Sequence, residues 1–174
     1  YDSSTTQWNQ LGQDIDGEEG GQYTGDRSGW SVSLSADGSI VAIGAPMNDG
    51  QNGSNSGHVR VYQYDNSTTT WKQLGEDIDG EAEFDYSGHS VSLSADGSIV
   101  AIGAIGAKDS SGFETGHVRI YQYDSSLSTW KQLGQDINGE AGYDFCGNSV
   151  SLSADGSIVA IGAIGNDGNG SDSG

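Results

Sequence analysis

Apolar residues in this chain fall in short, regularly spaced bursts separated by polar and glycine-rich turns. In "SVSLS", Ser90–Ser94, Val91 and Leu93 alternate with serines, the period of two that predicts a half-buried strand. Asp96-Gly97 then offers two residues that tolerate positive φ, which predicts a tight hairpin. The return run "SIVAIGA" from Ser98 is apolar almost throughout, the pattern of a strand covered on both faces, and its small residues suit close backbone approach. In "HVRIYQYD", His117–Asp124, Val118, Ile120 and Gln122 share one face and Arg119, Tyr121 and Tyr123 the other. A Ser/Thr-rich loop leads to "TWKQLGQDI" from Thr129, with Trp130, Gln132 and Gly134 on one face. No stretch shows a helical period.

The pattern recurs. "SVSLSADGSIVAIGA" occupies Ser31–Ala45, Ser90–Ala104 and Ser149–Ala163, so the period is 59 residues. A fixed period of this size marks units that bury their faces by stacking on neighbours. Four antiparallel strands per unit is the content of one propeller blade. The expected fold is all-β: propeller-type repeats, about three four-stranded blades, with a ring not closed by this chain alone. Residues 1–30 read as the fourth strand of a preceding blade plus a connecting loop, 31–89 as the first blade, 90–148 as the second and 149–174 as the first half of a third. Trp8, Trp71, Trp130, Val32, Leu34, Val91, Leu93, Val150 and Leu152 are expected to form the structural core of the repeat. Tyr1-Asp2 aligns with Tyr64-Asp65, and a third "HVRVYQ" is missing. Unclosed blades leave edges that proteins normally cover, so polymerisation or a longer parent chain is expected.

Charge narrows the partners. There are 25 acidic residues against 6 Lys and Arg, a formal charge of −19, and the basic residues are scattered. Nucleic acid and anionic membrane surfaces are excluded as partners, because both need clustered Lys and Arg. No segment approaches the roughly 18 apolar residues of a membrane-spanning helix, so membrane insertion is not expected. Hydrophobic residues make up only 33% of the chain, but they are concentrated in the periodic runs, and the 29 glycines sit mostly at turns, which argues for a folded protein. Cys146 is the only cysteine and aligns with Ser28 and Ser87; it reads as a small-residue substitute rather than a disulfide partner or reactive thiol.

The combination of "SVSLS", "IVAIGA" and "GHVRVY" resembles the FG-GAP repeats of integrin-α-like β-propellers, and more closely the FG-GAP-like arrays of secreted and surface proteins. "GAP" survives as Gly44-Ala45-Pro46, and "FG" is replaced by Ser28-Gly29, Ser87-Gly88 and Cys146-Gly147. The resemblance implies an extracellular or cell-surface location and propellers of about seven blades. Many such blades hold calcium between their first two strands. Here that connection is the bare turn Ala36–Ser39 and its equivalents, too short to bring about six to eight oxygens around Ca²⁺.

Three groups of polar residues merit a chemical reading. The loops Asp14-Ile15-Asp16-Gly17-Glu18, Asp77-Ile78-Asp79-Gly80-Glu81 and Asp136-Ile137-Asn138-Gly139-Glu140 place oxygens at alternate positions, a spacing open to a hard cation or to a solvated turn. Asp167, Asn169 and Ser171 repeat that spacing. Asn52, Asn66 and Asn169 head glycosylation sequons. The tryptophans of "W-x-Q-L-G" read as packing residues between blades, with sugar stacking as the alternative, and Trp30 as a variable exposed position. The histidines His58, His89 and His117 accompany no nucleophile elbow, phosphate loop or metalloprotease motif, so catalysis is not expected.

These readings converge on a non-catalytic extracellular structural or adhesive protein that assembles through blade stacking or strand completion. No cofactor is expected, and calcium is left open. The partners expected are further copies or neighbouring blades, and glycans. The alternative is a carbohydrate- or cation-dependent ligand-binding propeller module.

Overall fold

The computed structural model describes residues 1–18, 25–168, 170 and 173–174. Among them are twelve β-strands and no helix. The first sheet orders β1 (Ser31–Leu34), β2 (Ile40–Ala45) and β3 (His58–Asp65), with an outer strand in two pieces, β4 (Thr70–Gln73) and β5 (Ile78–Asp79). The second repeats this with β6 (Ser87–Leu93), β7 (Ile99–Ala104), β8 (His117–Asp124), β9 (Thr129–Gln132) and β10 (Ile137–Asn138). The third pairs β11 (Cys146–Leu152) with β12 (Val159–Ala163). All pairings between these strands are antiparallel, isolated parallel bridges join Gly57 to Ser87 and Gly116 to Cys146, and the three blade-like sheets do not close a ring.

Two details depart from the simple hairpin pattern. The connection between β1 and β2 is not a two-residue turn. Ser35 N–H donates to Ile40 O at 2.9 Å and Gly38 N–H to Ser35 O at 3.0 Å, closing a four-residue loop in which Gly38 alone has positive φ (72°). The reason is Asp37: its Oδ1 accepts from Ser35 Oγ (2.7 Å), Ser39 N (2.9 Å) and Ser39 Oγ (2.7 Å), which holds the wider turn. The outer strand is also interrupted. β4 pairs with Tyr62–Asp65 and β5 with His58 and Val59, and between them the chain turns at Gly75, whose φ is +79°.

The main core lies between the first two sheets. Ile40, Val59 and Val61 meet Val91, Leu93, Val100 and Ile102, with Leu74 and Trp130 packed at the edge. Val91 and Leu93 are 9% and 7% exposed, whereas their first-repeat equivalents Val32 and Leu34 are 64% and 60% exposed. No described sheet lies across that face of β1, so the same residues stand in solvent there. Val150 and Leu152 are half-buried in β11.

Serines of the repeated phrase tie one sheet to the next. Ser31 Oγ donates to Gly88 O at 2.8 Å, and Ser90 Oγ to Gly147 O at 2.7 Å. Ser33 Oγ accepts from Leu93 N at 3.0 Å, and Ser92 Oγ from Leu152 N at 2.9 Å. Ala36 N–H donates to Ala95 O, and Ala95 N–H to Ala154 O, both at 2.8 Å. An edge strand's free backbone groups are thereby taken up by a neighbouring sheet. Gly44 and Gly103 make the approach feasible, since a Cβ there would collide with the carbonyls of Gly88 and Gly147.

The tryptophans repeat at the outer edge. Trp71 Nε1 donates to Leu11 O and Trp130 Nε1 to Leu74 O, each at 2.8 Å, and their rings lie over Gly12 and Gly75 of the preceding "QLG". Trp8 is 84% exposed. Residues 1–18, read from sequence as containing a fourth strand, form only the isolated bridge between Asp2 and Gln7, because no "HVRVY" strand lies beside them.

Candidate functional site

At the first boundary, where the segment before the first sheet meets that sheet, lies a pocket of about 300 Å³. Its donors come from three places. Glu18 belongs to the segment before the first sheet. Asn48, Asp49 and Gly50 belong to the loop after β2, and His58, Asp77 and Asp79 to β3, β5 and the residues just before β5. With Asp26, five carboxylates line one cavity.

The groups are held rather than loose. Asn48 is buried, and its Nδ2 donates to Asp26 Oδ2 (3.1 Å) and Glu18 Oε2 (3.4 Å). His58, 2% exposed, places Nδ1 3.7 Å from Asp77 Oδ2, whose other oxygen accepts from Gln73 Nε2 at 2.6 Å. Asp49 Oδ1 accepts from Asn55 N at 2.8 Å. Arg60 donates through Nη2 to Asp16 O at 2.8 Å and sits 4.0 Å from Glu18. Ligand atoms of Glu18, His58 and Asp77 all lie within 4.8 Å of one another. The Asp79 carboxyl is pushed above its ordinary range, first by burial and then by the negative charge of Asp77, with His58 opposing and Glu18 adding to the shift. Negative charge is crowded here.

The equivalent pocket at the second boundary, between the first and second sheets, has different chemistry. Ala107 replaces Asn48, Lys108 replaces Asp49, Asp109 replaces Gly50 and Asn138 replaces Asp79. Asp109 is occupied by its own loop, accepting from Ser111 N (2.8 Å) and Phe113 N (3.0 Å). Arg119 pairs with Glu81 at 3.1 Å, and Asp85 Oδ2 accepts from the N–H groups of Glu81 (3.1 Å) and Ala82 (2.8 Å). Burial, then the Arg119 charge, lowers the pKa of His117 below the ordinary imidazole value.

The acidic loops read from sequence do not act as local ligand loops. Asp77 and Asp79 face the first boundary, whereas Glu81 faces the second, where it meets Arg119. Each pocket combines the glutamate of one repeat with the aspartates of the next. Asp14, by contrast, is exposed and accepts from Gln10 at 2.8 Å. In the turn Ala36–Ser39, Asp37 is engaged by its neighbours, as are Asp96 and Asp155 in theirs. Asn169 and Ser171 lie outside the described residues. Asn66 is exposed in the turn after β3; Asn52 donates its Nδ2 to Gly80 O at 2.7 Å. Cys146 is buried, and its thiol pKa is pushed up by burial and then by Asp144. Sequence reasoning passed over Asn48-Asp49-Gly50. The available signal was the return of the same triplet at Asn166–Gly168, with Ala107-Lys108-Asp109 between them.

Successive antiparallel sheets, tied through their first strands and stacked in an open array, define the class as propeller-type blades. Residues 20–62 match the family model described as FG-GAP repeat. The shared phrase carries that repeat into the second and third sheets, and the repeats of this chain are FG-GAP-like. Repeats of this kind typically occur in extracellular or surface proteins and are generally non-enzymatic. No curated protein matches the chain.

Proposed function

We propose that the chain is a non-catalytic extracellular structural or adhesive module that extends by stacking further blades, its own or those of another copy. One observation carries this reading: Val32 and Leu34 stand 64% and 60% exposed on a sheet whose counterpart buries Val91 and Leu93. Covering each such side chain is worth about 1.5–3 kcal/mol. The hydroxyl-to-backbone ties between sheets supply the register that a further blade would follow.

The test is light scattering and electron microscopy of the purified chain over a range of concentrations. Species larger than the 18.0 kDa monomer should grow with concentration. They should disappear in a Val32→Asp, Leu34→Asp variant. A parent that remains monomeric throughout overturns the stacking reading. A second reading, cation-dependent ligand binding, is favoured by the carboxylate pocket at the first boundary.

A further inference from the structure

We propose that the pocket at the first boundary binds a hard divalent cation of the Ca²⁺ or Mn²⁺ class, held by groups from the segment before the first sheet and from the first repeat. This rests on the pocket alone and is independent of the stacking reading.

Three observations carry it. The first is donor geometry: Glu18, His58 and Asp77 bring ligand atoms within 4.8 Å of one another, and Asp79, Asn48, Asp26 and Asp49 line the same cavity. Oxygens dominate and one imidazole joins them, a donor set suited to hard or borderline divalent ions.

The second is an orphaned hydroxyl. Ser56 is fully buried, and its Oγ has no hydrogen-bond partner among the described residues. Ser56 Oγ, Asn48 Oδ1 and Asp79 Oδ1 lie 2.9, 3.5 and 3.7 Å from the position that a Cβ on Gly50 would occupy. Three oxygens thus converge on a space left open by a glycine, at the pocket wall. A buried polar atom without a partner is destabilising, and a bound cation is one means of satisfying it.

The third is the protein's own comparison. At the second boundary the trio is kept as Glu81, His117 and Asp136, but several groups around it change. Ala107 offers no side-chain oxygen, Asn138 removes a charge, and Thr115, which replaces Ser56, donates to Gly116 O at 3.3 Å. Lys108 places an ammonium where Asp49 stands in the first pocket. Arg119 closes on Glu81 at 3.1 Å at the second boundary, whereas Arg60 stands 4.0 Å from Glu18 at the first.

The experiment is calorimetric titration of chelator-treated chain with CaCl₂ and with MnCl₂, with Mn²⁺ uptake followed by electron paramagnetic resonance. A single ion should bind with a dissociation constant below about 1 mM. Asp49→Lys and Asp79→Asn install residues that the second boundary already carries, so both variants are expected to fold. Each should weaken binding about tenfold or more, with melting in chelator no lower than the parent's. Absence of heat and of Mn²⁺ uptake at that concentration overturns the proposal. So does binding that both variants leave unchanged, which would place the ion elsewhere.

Discussion

Ser33 Oγ accepts the backbone N–H of Leu93 at 3.0 Å, joining the first strands of two successive sheets across 60 residues of chain. Ser92 does the same for Leu152 at 2.9 Å. Replacing either serine by alanine leaves an N–H at the sheet boundary without its acceptor. Each substitution should lower stability by about 1–2 kcal/mol in urea titration. Unchanged midpoints for both variants would show that solvent serves these amides equally well.

Gly44, Gly103 and Gly162 occupy one position in three repeats and should respond differently to alanine. The first two abut the Gly88 and Gly147 carbonyls, whereas a Cβ on Gly162 would meet only the Ser149 side chain, which can rotate away. Gly44→Ala and Gly103→Ala should each lose about 2 kcal/mol or more, and Gly162→Ala less than about 1 kcal/mol. Equal losses at all three would mean that the constraint lies within each sheet.

Trp130 and Trp8 offer a similar contrast. Trp130 is half-buried and donates to Leu74 O, whereas Trp8 is 84% exposed. Trp130→Phe should cost about 1–2 kcal/mol, with the Leu74 carbonyl losing its donor. Trp8→Phe should fall within about 0.5 kcal/mol of the parent. The same denaturation series, followed by tryptophan fluorescence, checks both.

Acid should destabilise the fold in two windows. His117 has a folded pKa below its unfolded value, mainly through burial, so the unfolded chain takes up its proton first. Stability is then lost as pH falls from about 6.5. Asp37 and Asp155 are lowered to about 2, chiefly by their turn hydrogen bonds, and Asp96 is lowered in the same way. Their contribution is present above about 4 and disappears as pH falls toward 2. A melting profile that is flat between pH 7 and 5 contradicts the first part. A combined Asp37→Asn, Asp96→Asn, Asp155→Asn variant that retains the parent's low-pH slope contradicts the second.

Much of the blade was legible because alternation and burial follow directly from side-chain chemistry. Val91 and Leu93 read as buried, and they are. The phrase "IVAIGA" read as a covered strand, and β7 is buried along most of its length. The serines between them read only as the polar half of an alternation. Their bonds run to another sheet, and no local pattern encodes a backbone donor 60 residues away. Asp96-Gly97 signalled a turn correctly but not its length, because that depends on an aspartate accepting several bonds at once. The pocket was the least legible feature. Its carboxylates were visible as "DIDGE", but the sequence groups Asp77, Asp79 and Glu81 together, whereas the fold sends Glu81 to the next boundary.

The ties between sheets join residues 57, 59 or 60 positions apart, and each repeat both offers and receives them. Excising one whole unit therefore brings the same kinds of atoms together across the new junction. The array behaves as a ruler whose length changes in whole divisions, without a new joint having to be invented. What differs from division to division is carried by side chains of the loop after the second strand, whose backbone carbonyls still join the next unit. Asp49 and Lys108 label two neighbouring junctions with opposite charge on an unaltered frame.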